Sequence, residues 1–119
     1  MNSLELGRRG EEAALEYLLS AGLVLREKNF RVGHKEIDLI MESDKYFHII
    51  EVRTRSYDEI MLPHNTVQQK KQRLIISAAR YYVKRYGVSK DISFDIVSIL
   101  WKRGICELEY IPKAFYPFY

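Results

Sequence analysis

The sequence predicts an α/β domain, and three observations carry that expectation. Two long segments place apolar residues at helical spacing, one stopping at Gly22 and the other at Gly87. Between them lie three runs with the alternation or continuous apolarity of strands, and two more follow the second helical segment. The breaks between the first three strands are short, at Gly33-His34 and Ser43-Asp44-Lys45, which makes an antiparallel meander. The expected order is therefore helix, three-strand antiparallel meander, helix, strand and a short C-terminal strand.

Ser3 is the expected N-cap of the first helix, which carries Glu5, Glu11 and Glu12 in its early turns and reaches about Ala21. Leu4, Leu15, Leu18, Leu19 and Gly22 form its apolar stripe. At ~100° per residue, Glu11 falls near the middle of that stripe. A carboxylate aimed at the core has two readings. It is a buried Glu held by a nearby Arg, or a third acidic group at the edge of a site.

Leu23 to Arg31 is the expected first strand, with Val24, Lys28 and Phe30 on one face and Leu23, Leu25 and Asn29 on the other. Its charged outward residues, Arg26, Glu27 and Lys28, suit an edge. In the second strand Ile37, Leu39 and Met41 alternate with Glu36, Asp38, Ile40 and Glu42. The third, Tyr46 to Arg53, is almost continuously apolar, as a strand buried on both faces would be. Asp38, Glu51 and Arg53 sit inside these strands. A carboxylate there is costly unless it is paired, hydrogen-bonded or bound to metal. Two of them on neighbouring strands, with a cation two residues after the second, point to a site for a hard divalent cation. The competing reading makes Arg53 the ion-pair partner of Glu51, with no metal.

Residues Ser56 to Pro63 read as a loop beside this stretch, with Tyr57 available to stack on a base. A second helix runs from an Asn65 or Thr66 cap to Tyr86, with Val67, Leu74, Ile75, Ala78 and Tyr82 as its apolar stripe. Lys71 lies in that stripe and Lys70 on its flank. Either Lys71 reaches a phosphate or a carboxylate, or its stem packs while the ammonium snorkels out. Ser93 to Leu100 alternates as a β-branched strand, and Ile105 to Ile111 follows as the last. The aromatic tail, Pro112 to Tyr119, is expected to pack against the core.

A chain of 119 residues makes a single domain, 1–119, able to bury roughly two-thirds of its unfolded surface. Its lone Cys106 excludes an internal disulfide and a cysteine metal cluster. His34, His48 and His64 have no ligand spacing, and His48 reads as a core residue. Without an N-terminal apolar h-region or an apolar run near ~18 residues, the expected location is the cytoplasm, with no membrane partner. The net charge is only +3, yet His64 to Lys90 holds seven Lys/Arg and no acidic residue. That run suits a polyanion such as nucleic acid, or is a solvated helix face.

The element order is compatible with the PD-(D/E)XK, or restriction-endonuclease-like, core, a central mixed sheet flanked by helices. Asp38, twelve intervening residues, then Glu51-Val52-Arg53 resembles the D…E-x-K signature of that superfamily. Around it, Gly7 to Ala14 (G-R-R-G-E-E-A-A), Asn29-Phe30-Arg31, Glu36 to Ile40, Ile50 to Arg55, Phe94 to Val97 and Ala114-Phe115 all resemble the YraN family. The resemblance spans nearly the whole chain. It extends to archaeal Holliday-junction resolvases, in which an acidic residue of the first helix joins the strand carboxylates, here Glu11.

The resemblance implies a metal-dependent endonuclease hydrolysing phosphodiester bonds in DNA, with branched or damaged DNA as conceivable substrates. It implies Mg2+ or Mn2+ on Asp38, Glu51 and the Val52 carbonyl, because all-oxygen coordination with open water positions suits those ions. Asp38, Glu51, Arg53 and Glu11 are the catalytic set it implies, with Lys70, Lys71, Arg55 and Arg73 binding nucleic acid. A homodimer is a further expectation, since related resolvases act on two-fold substrates. Two departures matter. Lys35 replaces the usual Gly before Glu-Ile-Asp, and Arg53 replaces the motif lysine. Arginine cannot act as a base but can hold a phosphate bidentately. The alternative is a nucleic-acid-binding or interaction module that kept the fold without cutting.

Overall fold

The computed structural model describes residues 2–56 and 68–117. Helix α1 spans Ser3–Ser20. Its cap is Asn2 rather than Ser3, with the Asn2 side chain accepting the Glu5 N–H at 2.8 Å. Both residue types cap well, so the pattern alone does not separate adjacent positions. Gly22, at φ +95°, takes the left-handed conformation just past the helix. The buried stripe is Gly10, Ala14 and Leu18. This corrects the expected one, because Leu4 and Leu19 are exposed. Small residues bring the helix close to the sheet, and a reading weighted by large side chains rotates the stripe.

The sheet contains β1 (Val24–Val32), β2 (Lys35–Glu42), β3 (Tyr46–Ser56), β4 (Asp91–Lys102) and β5 (Ile105–Phe115), in that spatial order. The meander is as expected, with β1–β2 and β2–β3 antiparallel. Strand β4 runs parallel to β3, from Tyr46–Asp91 to Ser56–Trp101, and β5 returns antiparallel. A parallel neighbour requires a crossover, and α2 (Gln69–Tyr86) lies within it. The result is a five-stranded mixed sheet flanked by two helices, compatible with the restriction-endonuclease-like fold.

Alternation along the central strands sends successive residues to two cores. Ile49 and Ile96 pack with Ile75, Ala79 and Tyr82 of α2. Ile50 and Val97 pack with Ala14 and Leu18 of α1. Within α2 the buried set is Ile75, Ile76, Ala78, Ala79 and Tyr82, whereas Leu74 is exposed. The expected Asn65 or Thr66 cap, Val67, His64 and Tyr57 lie outside the described residues. Gly87, at φ +64°, ends the helix as anticipated.

Strand β5 is longer than predicted, continuing through Pro112 to Phe115. An edge position tolerates proline, and a register shift between Phe94 and Ile96 with Lys113 at φ +51° marks a bulge there. Phe115 is buried and stacks on Phe94 at 5.2 Å, so this part of the tail joins the core.

The fully buried Asp95 ties three strands together. It accepts from Ser93 Oγ (2.5 Å), Tyr110 OH (2.6 Å) and the Lys113 N–H (3.0 Å). It also meets His48 Nδ1 at 2.7 Å, while His48 Nε2 meets Ser43 Oγ at 2.8 Å. This carboxylate is affordable in the core because each lone-pair direction finds a partner. Burial and the adjacent Asp95 push the Tyr110 hydroxyl well above the usual phenol range. Among the described residues no helix is long and apolar enough to cross a membrane.

Candidate functional site

The site begins where β2 leaves β3. The two strands pair only from Leu39–Ile50 to Glu42–Phe47. Asp38 is the next residue, and its Oδ2 accepts the Val52 N–H at 2.8 Å. A side chain thus takes the place of a ladder carbonyl. The alternation of β2 also breaks here. Leu39 and Met41 pack on the α1 side, but Ile37 packs with Ile40 on the α2 side. Across the β1–β2 ladder, the pairs Phe30–Ile37 and Lys28–Leu39 flank Asn29 and Asp38, and Asn29 has φ +52°. The strict alternation expected of β2 therefore holds only from Leu39 onward.

Glu11 approaches from α1, one residue after Gly10. A Cβ at Gly10 would lie 1.9 Å from Thr54 Oγ1, so only glycine lets the helix sit this close to β3. The Glu11 carboxylate accepts from Asn29 Nδ2 at 3.0 Å, which replaces the expected Arg partner. Glu51, on β3, is buried at 4% exposure. Its Oε1 is 2.5 Å from Lys71 Nζ, which reaches over from the first turn of α2. Of the two readings of Lys71, the one that reaches a carboxylate is the one observed.

The three acids come from three elements and converge on Asp38. Burial pushes the Asp38 carboxyl up to about 8, and the nearby Glu51 and, more weakly, Glu11 charges add to this. The Val52 N–H and the Lys71 ammonium oppose it. A group so placed holds its proton near neutral pH when no further cation is present.

Arg53 is half-buried two residues beyond Glu51. Burial and the adjacent Arg55 lower its pKa, while Glu51 raises it. It stays a cation all the same. Glu51 is ion-paired as in the metal-free reading of the strand, but its partner is Lys71 rather than Arg53. Lys70 and Arg73 are exposed on α2, and Arg55 is half-buried on β3. Val52 contributes its N–H to Asp38 and its side chain to the α1-side core.

Among the described residues, no group of three or more His, Cys, Asp or Glu is gathered tightly enough to hold a metal ion. Asp38 feels the charges of both Glu51 and Glu11 without the three forming such a cage. His34 is exposed, and His48 is a core residue on Asp95, as expected.

Residues 10–99 match the family model described as Uncharacterised protein family UPF0102. The chain belongs to the UPF0102 (YraN) family. A UPF0102 protein of Bacteroides fragilis is 38% identical over 94% of this chain and 93% of its own length. Another, from Dictyoglomus turgidum, is 36% identical over 97% of this chain and 100% of its own. A third, from Bacteroides thetaiotaomicron, is 34% identical over 95% and 93%. The UPF0102 match takes in Gly10, Glu11, Asp38, Glu51, Arg53 and Asp95, the residues that build the site and the buried network. Lys35, just before Glu36-Ile37-Asp38, donates to Ser77 Oγ at 2.8 Å and ties β2 to α2.

Sequence reasoning missed Asn29 as the partner of Glu11 and Thr54 as the contact of Gly10. An asparagine between a charged residue and an aromatic in an edge strand was the available signal for the first. The second has no local signal, because it depends on two elements meeting.

Proposed function

We propose that this UPF0102 protein is a metal-dependent nuclease acting on DNA. The observation that carries the reading is a pair of carboxylates from neighbouring strands, Asp38 on the Val52 N–H and buried Glu51 on Lys71, with Arg53 beside them. The donor set fits a hard cation. It is all oxygen, and Asp38 lies within the field of both Glu51 and Glu11, beside the exposed Lys71.

Asp38 and Glu51, with the Val52 carbonyl, are the proposed ligands of Mg2+ or Mn2+. Such an ion polarises a phosphate and lowers the pKa of a bound water. Arg53 holds the phosphate and stabilises charge as it develops. Lys71, whose side chain is 57% exposed, exchanges Glu51 for a phosphate oxygen. Lys70, Arg73 and Arg55 hold the flanking backbone. Glu11, positioned by Asn29, borders the site from α1.

One set of observations favours a second reading, a nucleic-acid-binding module that does not cut. Lys71 already neutralises Glu51, Arg53 stands in the lysine position, and no three-ligand cage exists among the described residues.

Cleavage of single-stranded, duplex and branched DNA with Mg2+ and Mn2+ separates the two. The expected result is metal-dependent cleavage by wild type that falls at least ~100-fold in Glu51→Ala. Activity in Arg53→Lys alone would mean a metal site silenced by one substitution. Inactivity of all three proteins, with DNA binding retained, would establish the binding module instead.

A further inference from the structure

A cavity of about 590 Å³ opens on the α2 side of the sheet, away from the carboxylates. Ile76, Ala79 and Val83 of α2 form one wall, and the stacked Phe94 and Phe115 rings line it from the sheet. Tyr46 and Tyr116 also line it, and Tyr116 is 66% exposed. Its ring face is thus accessible from solvent at the mouth of the cavity.

The cavity is also strongly cationic. Arg80, Lys84 and Lys113 line it, against one carboxylate, Asp91. Arg80 and Lys84 are exposed, and neither is in an ion pair among the described residues. Lys113 lies over the Tyr46 ring with Nζ 5.0 Å from its centroid. An apolar, aromatic slot with three cations matches one ligand chemistry, a flat aromatic body carrying a phosphate.

Its position narrows the source. Arg80 follows Lys71 by nine residues on α2, about 13 Å at 1.5 Å per residue. Tyr46 precedes Glu51 by five residues on β3, about 17 Å. Arg73, Arg80 and Lys84 recur at helical spacing on the exposed side of α2, joining the two places by a basic track. A strand bound along that track would have its phosphates at Lys70 and Arg73 and a neighbouring nucleotide over the cavity.

We propose that this cavity receives an unpaired nucleotide of the bound strand, so that the preferred substrate carries an extrahelical or single-stranded base. A paired base is held in its stack and cannot enter. Tyr116 stacks on the base, and Arg80 and Lys84 hold its phosphate. The inference rests on the nucleic-acid reading above, but it concerns a region separate from Asp38 and Glu51.

The test uses full-length wild type in EDTA, so that metal-dependent cleavage plays no part. Two duplexes are compared, one with an extrahelical 2-aminopurine and one with the same base paired. The expected result is about 10-fold tighter binding of the extrahelical probe, with its fluorescence quenched by stacking. Tyr116→Ala, and separately Arg80→Ala with Lys84→Ala, should reduce that preference to within about two-fold. All three side chains are exposed, so these variants leave the core intact. Equal affinity for both duplexes with bright 2-aminopurine would overturn the cavity assignment and leave DNA binding standing. Absence of binding to either duplex at low salt would overturn both. Competition by free adenosine monophosphate as strong as by the extrahelical duplex would assign the cavity to a free nucleotide and overturn its role in reading a strand.

Discussion

Asp38 joins the fold and the site in a single side chain. It caps the point where β2 parts from β3 by accepting the Val52 N–H, and it does so among two other acids. Its folded-state pKa, up to about 8, lies far above the ordinary 3.8. Between those values the folded protein binds more protons than the unfolded chain, so stability is greatest at the acidic end of the window. It is lost as pH rises toward 8, by as much as about 1.4 kcal/mol per pH unit for this one group. Asn at this position keeps an oxygen for the Val52 N–H and removes the charge. Urea unfolding of Asp38→Asn in a chelator, followed from pH 5 to 8, should therefore give a flatter profile than wild type. At pH 8 the variant should be the more stable of the two. Parallel profiles would mean that burial of Asp38 does not govern the pH dependence.

At the scale of elements, the docking of α1 on β3 shows what a sequence does and does not disclose. Helix, meander, crossover helix and return strand were legible because each has its own period and its own stop residues. Glu11 was legible as an inward-facing acid because angular position on a helix is a local property. The partner of Glu11 and the depth of the helix were not, since the first depends on Asn29 of β1 and the second on Gly10 meeting Thr54 of β3. The same limit explains the rotated stripe. Gly10 and Ala14 bury through closeness rather than size. A Cβ at Gly10 would meet Thr54 Oγ1 at 1.9 Å and its Cβ and Cγ2 at 3.0 Å. Gly10→Ala should thus destabilise the protein by about 1–2 kcal/mol, overpacking of ~1–3 kcal/mol being partly offset by alanine's better helix propensity. Adding Thr54→Ala should recover part of the loss, as a double-mutant cycle of unfolding free energies would record. Additive effects would place the helix further from the sheet.

The whole molecule distributes its charge unevenly, and the proposed polyanionic partner follows from that distribution. Glu11 of α1, Asp38 of β2 and Glu51 of β3 supply the acids of the site, whereas α2 carries Lys70, Lys71, Arg73, Arg80, Lys84 and Arg85 without an acidic residue. The charge run was visible in the sequence, but its direction was not, because only the crossover between β3 and β4 fixes where α2 begins. It begins beside Glu51, with Lys71 on that carboxylate and Lys70 facing solvent. A polyanion lying along α2 would have its backbone delivered to Asp38, Glu51 and Arg53. Each phosphate contact that a lysine makes releases counterions and steepens the dependence of binding on salt by about one unit of log–log slope. Lys70→Ala combined with Lys71→Ala should therefore weaken duplex binding at 50 mM salt and reduce the slope by about two. Removing Lys71 also leaves Glu51 as a buried, unpaired charge, so Lys70→Ala alone serves as the folding control and should reduce the slope by about one. Anisotropy titrations of labelled duplex from 50 to 200 mM salt measure both. Unchanged slopes in both variants would detach the start of α2 from the binding surface and leave the acidic site without a route for its substrate along that helix.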